Sequence, residues 1–190
     1  IHEHPKLVDK AVLVSPMIDI STSPLPGWFV RLIVWVAIKA GLDHVYVIGS
    51  GDYTVEKFKD NRLTSDPERF MDENKAIVEN PDLAVGGPTY GWLSATFESI
   101  GILAEPDFAK KITTPILIAS AGCDRVVSIK AQKAMCALLP HCRFAEITGA
   151  RHEIFKETNA LQSIFWNEFD RFTQAGIDPI HSLARSDRYY

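Results

Sequence analysis

Apolar residues in this chain fall into short, nearly unbroken runs and into spaced stripes, and the two patterns predict different elements. The runs are Lys10-Ala11-Val12-Leu13-Val14, Pro115-Ile116-Leu117-Ile118-Ala119 and Phe144-Ala145-Glu146-Ile147. A short β-branched run with almost no polar face reads as a strand of a parallel sheet, buried on both sides. Helix signals stand elsewhere. Asp66-Pro67-Glu68 pairs an N-capping Asp with Pro at the first helical position. Ser128 is placed to cap a helix over residues 129–139, which Pro140 ends. Thr158 is placed to cap a last helix, whose stripe Leu161, Ile164, Phe165, Phe169, Phe172 recurs at helical spacing.

Residues 26–104 are helical in pattern, irregular, and hold no convincing parallel strand. The order is therefore strand, helical insert, strand, helix, strand, helix, which places the chain in the α/β class. The expected divisions are a core strand with flanks over 1–24, a mostly helical cap over 25–105, and a core part over 106–176. A peripheral polar tail takes 177–190. Three strands make a thin parallel sheet, and such sheets need both faces covered. Further strands and helices are expected from a segment upstream of Ile1. The strand at 10–14 and the helix at 158–172 should meanwhile show apolar surface that this chain leaves uncovered.

Composition narrows the classes. Of 190 residues, 46% are hydrophobic and 23% charged, and the net charge of −4 carries no basic run of the nucleic-acid type. The run Trp28-Phe29-Val30-Arg31-Leu32-Ile33-Val34-Trp35-Val36-Ala37-Ile38 is interrupted by Arg31 and followed by Lys39. It is shorter than the roughly 20 apolar residues a spanning helix needs. Two readings stay open for it, a helix buried on most sides and a lipid-facing lid helix. Cys136 and Cys142 read as buried thiols of a reducing compartment rather than a disulfide or zinc pair. His2, His4, His44, His141 and His181 show no metal-type clustering. The turn Gly86-Gly87-Pro88-Thr89-Tyr90-Gly91-Trp92 does not follow a strand, so it is not a phosphate loop of the dinucleotide type.

The chemistry concentrates after two of the strand runs. Asp124 lies in Ala121-Gly122-Cys123-Asp124-Arg125-Val126-Val127, and His152 in Thr148-Gly149-Ala150-Arg151-His152-Glu153. Loops at the carboxyl ends of parallel strands are where α/β proteins build sites. An acid on one such loop and a histidine on a later one is the chain order of a Ser–acid–His triad lacking its serine. In that role the acid would hold the imidazole tautomer and the imidazole would take the serine proton. The nucleophile elbow G-x-S-x-G is not met: Ser50 follows Ile48 by two residues, Ser99 follows Phe97 and Ser120 follows Ile118. The chain, opening at Ile1, is expected to be the carboxyl-terminal part of a larger hydrolase, with the serine upstream. Asp19 is the rival acid, one strand earlier. Asp124 could instead cap its own turn toward Ser128. Glu153, adjacent to His152, should point away from the imidazole.

Four stretches together resemble one family, the bacterial lysophospholipases of the inner-membrane type, close to the monoacylglycerol lipases within the α/β-hydrolases. Lys10-Ala11-Val12-Leu13-Val14-Ser15-Pro16-Met17 resembles the strand after the nucleophile helix. Val85-Gly86-Gly87-Pro88-Thr89-Tyr90-Gly91-Trp92 resembles a cap-region signature of these lysophospholipases. Cys123 to Val127 resembles the acid loop, and Gly149 to Ile154 the histidine loop. The resemblance implies a partial α/β-hydrolase fold with an inserted helical cap. It implies ester hydrolysis through an acyl-serine, with His152 as base and then acid, Asp124 as its orienter, and no cofactor.

For the cap aromatics Trp28, Trp35, Tyr90 and Trp92, two roles stand side by side: lining an acyl pocket, or packing within the cap. The implied substrate is a lysophospholipid or monoacylglycerol, and the implied location cytoplasmic or peripheral to a bacterial inner membrane, with no nucleic-acid partner. Two rivals remain. One is another capped hydrolase, such as a proline-type aminopeptidase drawing a free amine to Asp72, Glu73 and Glu79, or a small-ester hydrolase. The other is a non-catalytic hydrolase-fold binding protein.

Overall fold

The computed structural model describes residues 1–55 and 57–174; the expected tail at 177–190 lies outside them. Among the described residues three parallel strands form the sheet in the order β1-β2-β3: β1 (Ala11–Val14), β2 (Ile116–Ala121) and β3 (Cys142–Ile147). The register pairs Ala11 with Ile116 and Ile116 with Cys142. β3 starts two residues before its apolar run, because Cys142 and Arg143 continue the ladder with Ile116 and Leu117. Its residues alternate in burial, so only its end is legible as an apolar run.

Among the described residues five α-helices accompany the sheet: α1 (Gly27–Lys39), α2 (Pro67–Glu79), α3 (Tyr90–Leu103), α4 (Ile129–Leu138) and α5 (Asn159–Gln174). Their starts follow from local chemistry. The Asp66 carboxylate accepts from the amides of Glu68 and Arg69, the Thr89 hydroxyl from Trp92, and the Ser128 hydroxyl from Ala131. The Thr158 carbonyl accepts the first helical bond of α5, from Gln162.

Strand β2 is buried along its whole length and divides the core by the period-2 rule. Ile116 and Ile118 pack toward α4, against Met135, Cys136 and Leu139. Ala119 and Ala121 face the other way, with Ile147, Ile154 and Phe165 of α5, and Leu117 meets Phe172. The two helices thus clamp the strand whose end carries Asp124. The outer strand is less protected: all four residues of β1 are only half-buried. On α5, Ile164 and Trp166 remain exposed. Apolar surface is therefore open on both elements where it was expected.

The cysteine expectation is corrected. Cys136 and Cys142 form a disulfide, with Cα atoms 5.3 Å apart, and Cys123 is the free thiol. Helix α4 ends at Leu138 and the chain reverses through Pro140-His141 into β3. That reversal brings the sheet-facing cysteine of the helix onto the first residue of the strand. Spacing alone does not reveal a reversal of this kind.

Within 27–103 the described residues hold α1, α2, α3 and short 3₁₀ turns. Helices α1 and α3 share a cluster of their own, built on Val34, Ala37, Tyr90, Phe97 and Ile100. The glycine-rich turn has a packing explanation. The segment around Asp43–Gly51 lies along it, with Val47 N–H donating to Pro88 O and Gly87 N–H to Gly51 O. A Cβ on Gly87 would overlap the Ser50 side chain, and one on Gly91 would meet the Asp43 carbonyl at 2.9 Å. At Gly91 the facing atom is backbone, so a Cβ would fit only if the chain shifted, whereas at Gly87 it is the Ser50 side chain that occupies the space.

Candidate active site

The acid and histidine loops leave β2 and β3 side by side and are stitched together at once. Gly122 N–H donates to Ile147 O, and Cys123 N–H to Ala150 O. This zipper sets Asp124 opposite His152, with His152 Nδ1 2.8 Å from Asp124 Oδ2. The other carboxylate oxygen accepts from the amides of Val126 (2.8 Å) and Val127 (3.0 Å). Asp124 therefore both caps its own turn and faces the imidazole, one oxygen for each. Its side chain is fully buried, while that of His152 is 24% exposed. An ionised carboxylate only accepts hydrogen bonds, so the imidazole carries its proton on Nδ1 and leaves Nε2 as the free base. Among the described residues no serine hydroxyl is hydrogen-bonded to His152.

Asp19 is placed elsewhere. Its Oδ1 accepts from the Ile20 amide and its carbonyl from Ser128 N–H. With Ser21 N–H donating to Val126 O, it braces the acid loop instead of touching the imidazole. Glu153 also points away, pairing with Lys156 at 3.1 Å.

Electrostatics follow the geometry. Burial pushes the Asp124 carboxyl up, but the His152 hydrogen bond and the Val127 and Val126 amides outweigh it and hold it below the ordinary aspartate value. The Asp124 hydrogen bond raises the His152 imidazole, burial lowers it, and the charges of Asp124 and Glu153 raise it further, leaving it above the ordinary histidine value. A histidine serving as general base must be neutral, so in that role His152 would lose activity as pH drops through its raised value. The acidic limb of kcat/KM for the complete protein, measured between pH 5 and 9, should lie above the unperturbed imidazole value of about 6.5. For stability the histidine's contribution is full below its unfolded value and is lost as pH rises through the raised one. The aspartate's contribution is present above its unfolded value and is lost as pH falls through the lowered one.

A second layer holds the histidine loop, and sequence reasoning missed it. Glu157 is fully buried and accepts from the amides of Ser65 (3.0 Å), Arg151 (2.7 Å) and Thr158 (3.3 Å), and from the Ser65 hydroxyl. Arg151 donates through its guanidinium to the carbonyls of Thr64 and Asn61. The amides of His152 and Glu153 donate to Arg62 O (3.4 Å) and Leu63 O (2.8 Å). The buried Thr64 hydroxyl donates to Lys156 O. Residues 61–66, just before α2, are thus a brace for the loop that carries His152. The only local signal was Asn61, whose side chain caps its own turn at Leu63 and Thr64. Glu157→Ala would leave buried amides unpaired, at about 1–3 kcal/mol each. The expected result is a lower urea midpoint together with a lower kcat; an unchanged kcat would mean the brace does not position His152.

The four aromatics expected to line an acyl pocket are not gathered at one cavity. Trp28 (69%) and Trp35 (59%) are exposed on α1, Trp92 is exposed on α3, and Tyr90 is buried in the α1–α3 cluster. Helix α1 commits its Val34 and Ala37 side to α3, and Trp28 and Trp35, seven residues apart, share the opposite side. The cavity that adjoins the histidine loop, about 410 Å³, has a mixed lining that includes Arg62, Glu73, Asn74 and Gly86 beside Leu63, Phe70 and Val126.

A family profile described as serine aminopeptidase, S33, matches residues 1–159. The chain belongs to this family. A Haemophilus influenzae protein named probable lysophospholipase L2 is 31% identical over 159 residues, covering 83% of this chain and 49% of its own length. Lysophospholipase L2 of Escherichia coli K12 is 29% identical over 175 residues, covering 86% and 50%. The chain thus spans about half the length of the curated relatives it matches. Among solved structures, a soluble variant of monoglyceride lipase from Saccharomyces cerevisiae aligns with TM-score 0.66 at 16% identity, over 91% of this chain and 55% of that one. Paleococcus ferrophilus monoacylglycerol lipase aligns at 0.62 and 17%, over 91% and 62%. These likenesses show the α/β-hydrolase fold, of which this S33-family chain carries a three-stranded part.

Proposed function

We propose that this chain supplies the acid–base half of a carboxylic-ester hydrolase that cleaves single-chain lipids of the lysophospholipid or monoacylglycerol type through an acyl-serine. The observation that carries the reading is the 2.8 Å His152–Asp124 contact at the carboxyl end of a parallel sheet, with Nε2 left as a base. The serine and the oxyanion-hole donors come from outside the described residues. In the first half-reaction Nε2 removes the serine proton as the hydroxyl oxygen attacks the ester carbonyl. The imidazolium then protonates the departing alcohol, and Asp124 offsets its charge. In the second half-reaction Nε2 deprotonates water, which attacks the acyl-serine, and the proton returns to the serine as the fatty acid leaves. This chemistry calls for no cofactor.

Residues 25–105 act in this reading as the cap over the carboxyl edge, and α1 as its lipid contact. Trp28, Leu32, Trp35 and Val36 are exposed together, Arg31 and Lys39 are the charges of the helix, and no acidic side chain occurs in it. Thirteen residues lie along an interface and do not span it. Among the described residues no helix is long and apolar enough to cross a membrane. Of the three carboxylates that the aminopeptidase reading names, Asp72 pairs with Lys75 and Glu73 with Lys156, and Glu79 has no ion pair among the described residues, so that reading stays as the alternative. The test is to incubate the complete protein with a lysophospholipid, a monoacylglycerol and a proline p-nitroanilide. Fatty-acid release supports the proposal; release of p-nitroaniline without fatty acid would overturn it.

A further inference from the structure

The cavity beside the histidine loop is contiguous with the dyad through the backbone. Arg62 and Leu63 on its wall accept the amides of His152 and Glu153, and Val126 on the same wall donates to Asp124. Three charged side chains line it: Asp52, Glu73 and Arg62. Asp52 accepts the Tyr46 hydroxyl at 2.8 Å, and Glu73 is paired with Lys156 at 2.5 Å. Among the described residues the Arg62 guanidinium has no carboxylate partner, and it is exposed. Asn74, also on the wall, is 7% exposed. Its carbonyl oxygen takes the Tyr53 hydroxyl at 2.6 Å, while its NH₂ faces only the Met71 sulfur at 3.9 Å, a weak acceptor. Among the described residues the lining thus offers one cation without a carboxylate partner, one carboxylate (Asp52) without a cation partner, and one under-used buried amide. Gly86 and Gly87 keep side chains off the remaining wall: a Cβ on Gly86 would meet the Tyr46 hydroxyl at 2.6 Å.

The geometry points to this cavity as the headgroup subsite of the ester hydrolase, with Arg62 holding the phosphodiester of a lysophospholipid and the Asn74 amide donating to one of its oxygens. A planar guanidinium takes two phosphate oxygens at once, whereas a monoacylglycerol offers only hydroxyls. The glycines shape the wall and the anion is held by the arginine, so no dinucleotide-type phosphate loop is involved. The subsite separates the two lipid classes left open by the proposed function, on which it rests. It makes the phosphodiester a preferred feature of the substrate and Arg62 a specificity residue.

The test has two arms. In the first, the complete protein and its Arg62→Gln and Arg62→Lys variants hydrolyse lysophosphatidylethanolamine and a monoacylglycerol of the same acyl chain. Arg62→Gln, which keeps the backbone carbonyl that accepts from His152, should lower kcat/KM on the phospholipid by roughly 10- to 100-fold more than on the monoacylglycerol, the loss of a charge-assisted contact. Arg62→Lys should recover part of the loss. Equal losses on both substrates, or none, overturn the subsite. In the second arm, glycerophosphoethanolamine, inorganic phosphate and glycerol are titrated separately into the protein and followed by amide NMR shifts. Saturable binding of glycerophosphoethanolamine that Arg62→Gln abolishes, with weaker binding of phosphate and none of glycerol, supports the subsite even if no ester is cleaved. In that case the hydrolase reading alone fails. Ester cleavage without such binding, or phosphate bound as tightly as the diester, overturns the subsite and leaves the hydrolase reading standing.

Discussion

Replacing His152 with Ala in the complete protein should lower kcat on a lysophospholipid by roughly 10³- to 10⁶-fold, with a much smaller change in KM. Among the described residues the imidazole is the base that Asp124 orients, and its Nε2 is the atom that would take and return the proton in both half-reactions. The fold should survive, because His152 is partly exposed and the braces of its loop run through backbone amides and Glu157. A circular dichroism spectrum and melting temperature close to those of the parent protein would separate lost chemistry from lost structure. Retention of a tenth or more of the parent kcat would remove His152 from the reaction.

Asp124→Asn should cost about 10⁴-fold in kcat near neutral pH, by a different route. The amide oxygen can still accept from Val126 and Val127, so the turn is kept. The amide nitrogen then sits where Oδ2 faced the ring, and it donates to Nδ1. The imidazole proton is driven to Nε2, and the base is lost although the geometry is unchanged. Because the two residues act as one unit, the double variant with His152→Ala should lose little more than His152→Ala alone. Strictly additive losses would mean that Asp124 acts apart from His152. An unperturbed rate for Asp124→Asn, with Asp19→Asn impaired, would return the acid role to Asp19.

The fold was legible where one local signal decided it. The run at 115–119 shows its burial directly, the run at 10–14 gives a strand that is only half-buried, and Asp66 and Ser128 announce their helices through side-chain caps. The pairing of Asp124 with His152 was legible because each follows a strand, and parallel strands bring their carboxyl-end loops together. What was hidden depends on chain reversals and on contacts distant in sequence. The disulfide needs the turn at Pro140-His141, and Glu157 meets Ser65 from 92 residues away. The α1 pattern defines two faces but not which one α3 covers, so it could not choose between pocket lining and packing for Trp28 and Trp35, which are exposed on the face away from α3. The cavity gave no sequence signal, because its wall is assembled from segments distant in sequence: loops around Gly51, Arg62 and Gly86, and helix α2 through Phe70, Glu73 and Asn74.

The central claim, that His152 and Asp124 activate a serine for acyl transfer, is tested most directly by the rate of fluorophosphonate labelling of the complete protein, followed by intact mass and peptide mapping. The account predicts a single adduct on one serine, formed at least about 10²-fold more slowly in His152→Ala and in Asp124→Asn. An adduct that forms equally fast in the parent and both variants, or no adduct in a parent protein that still hydrolyses lysophospholipid, would contradict it.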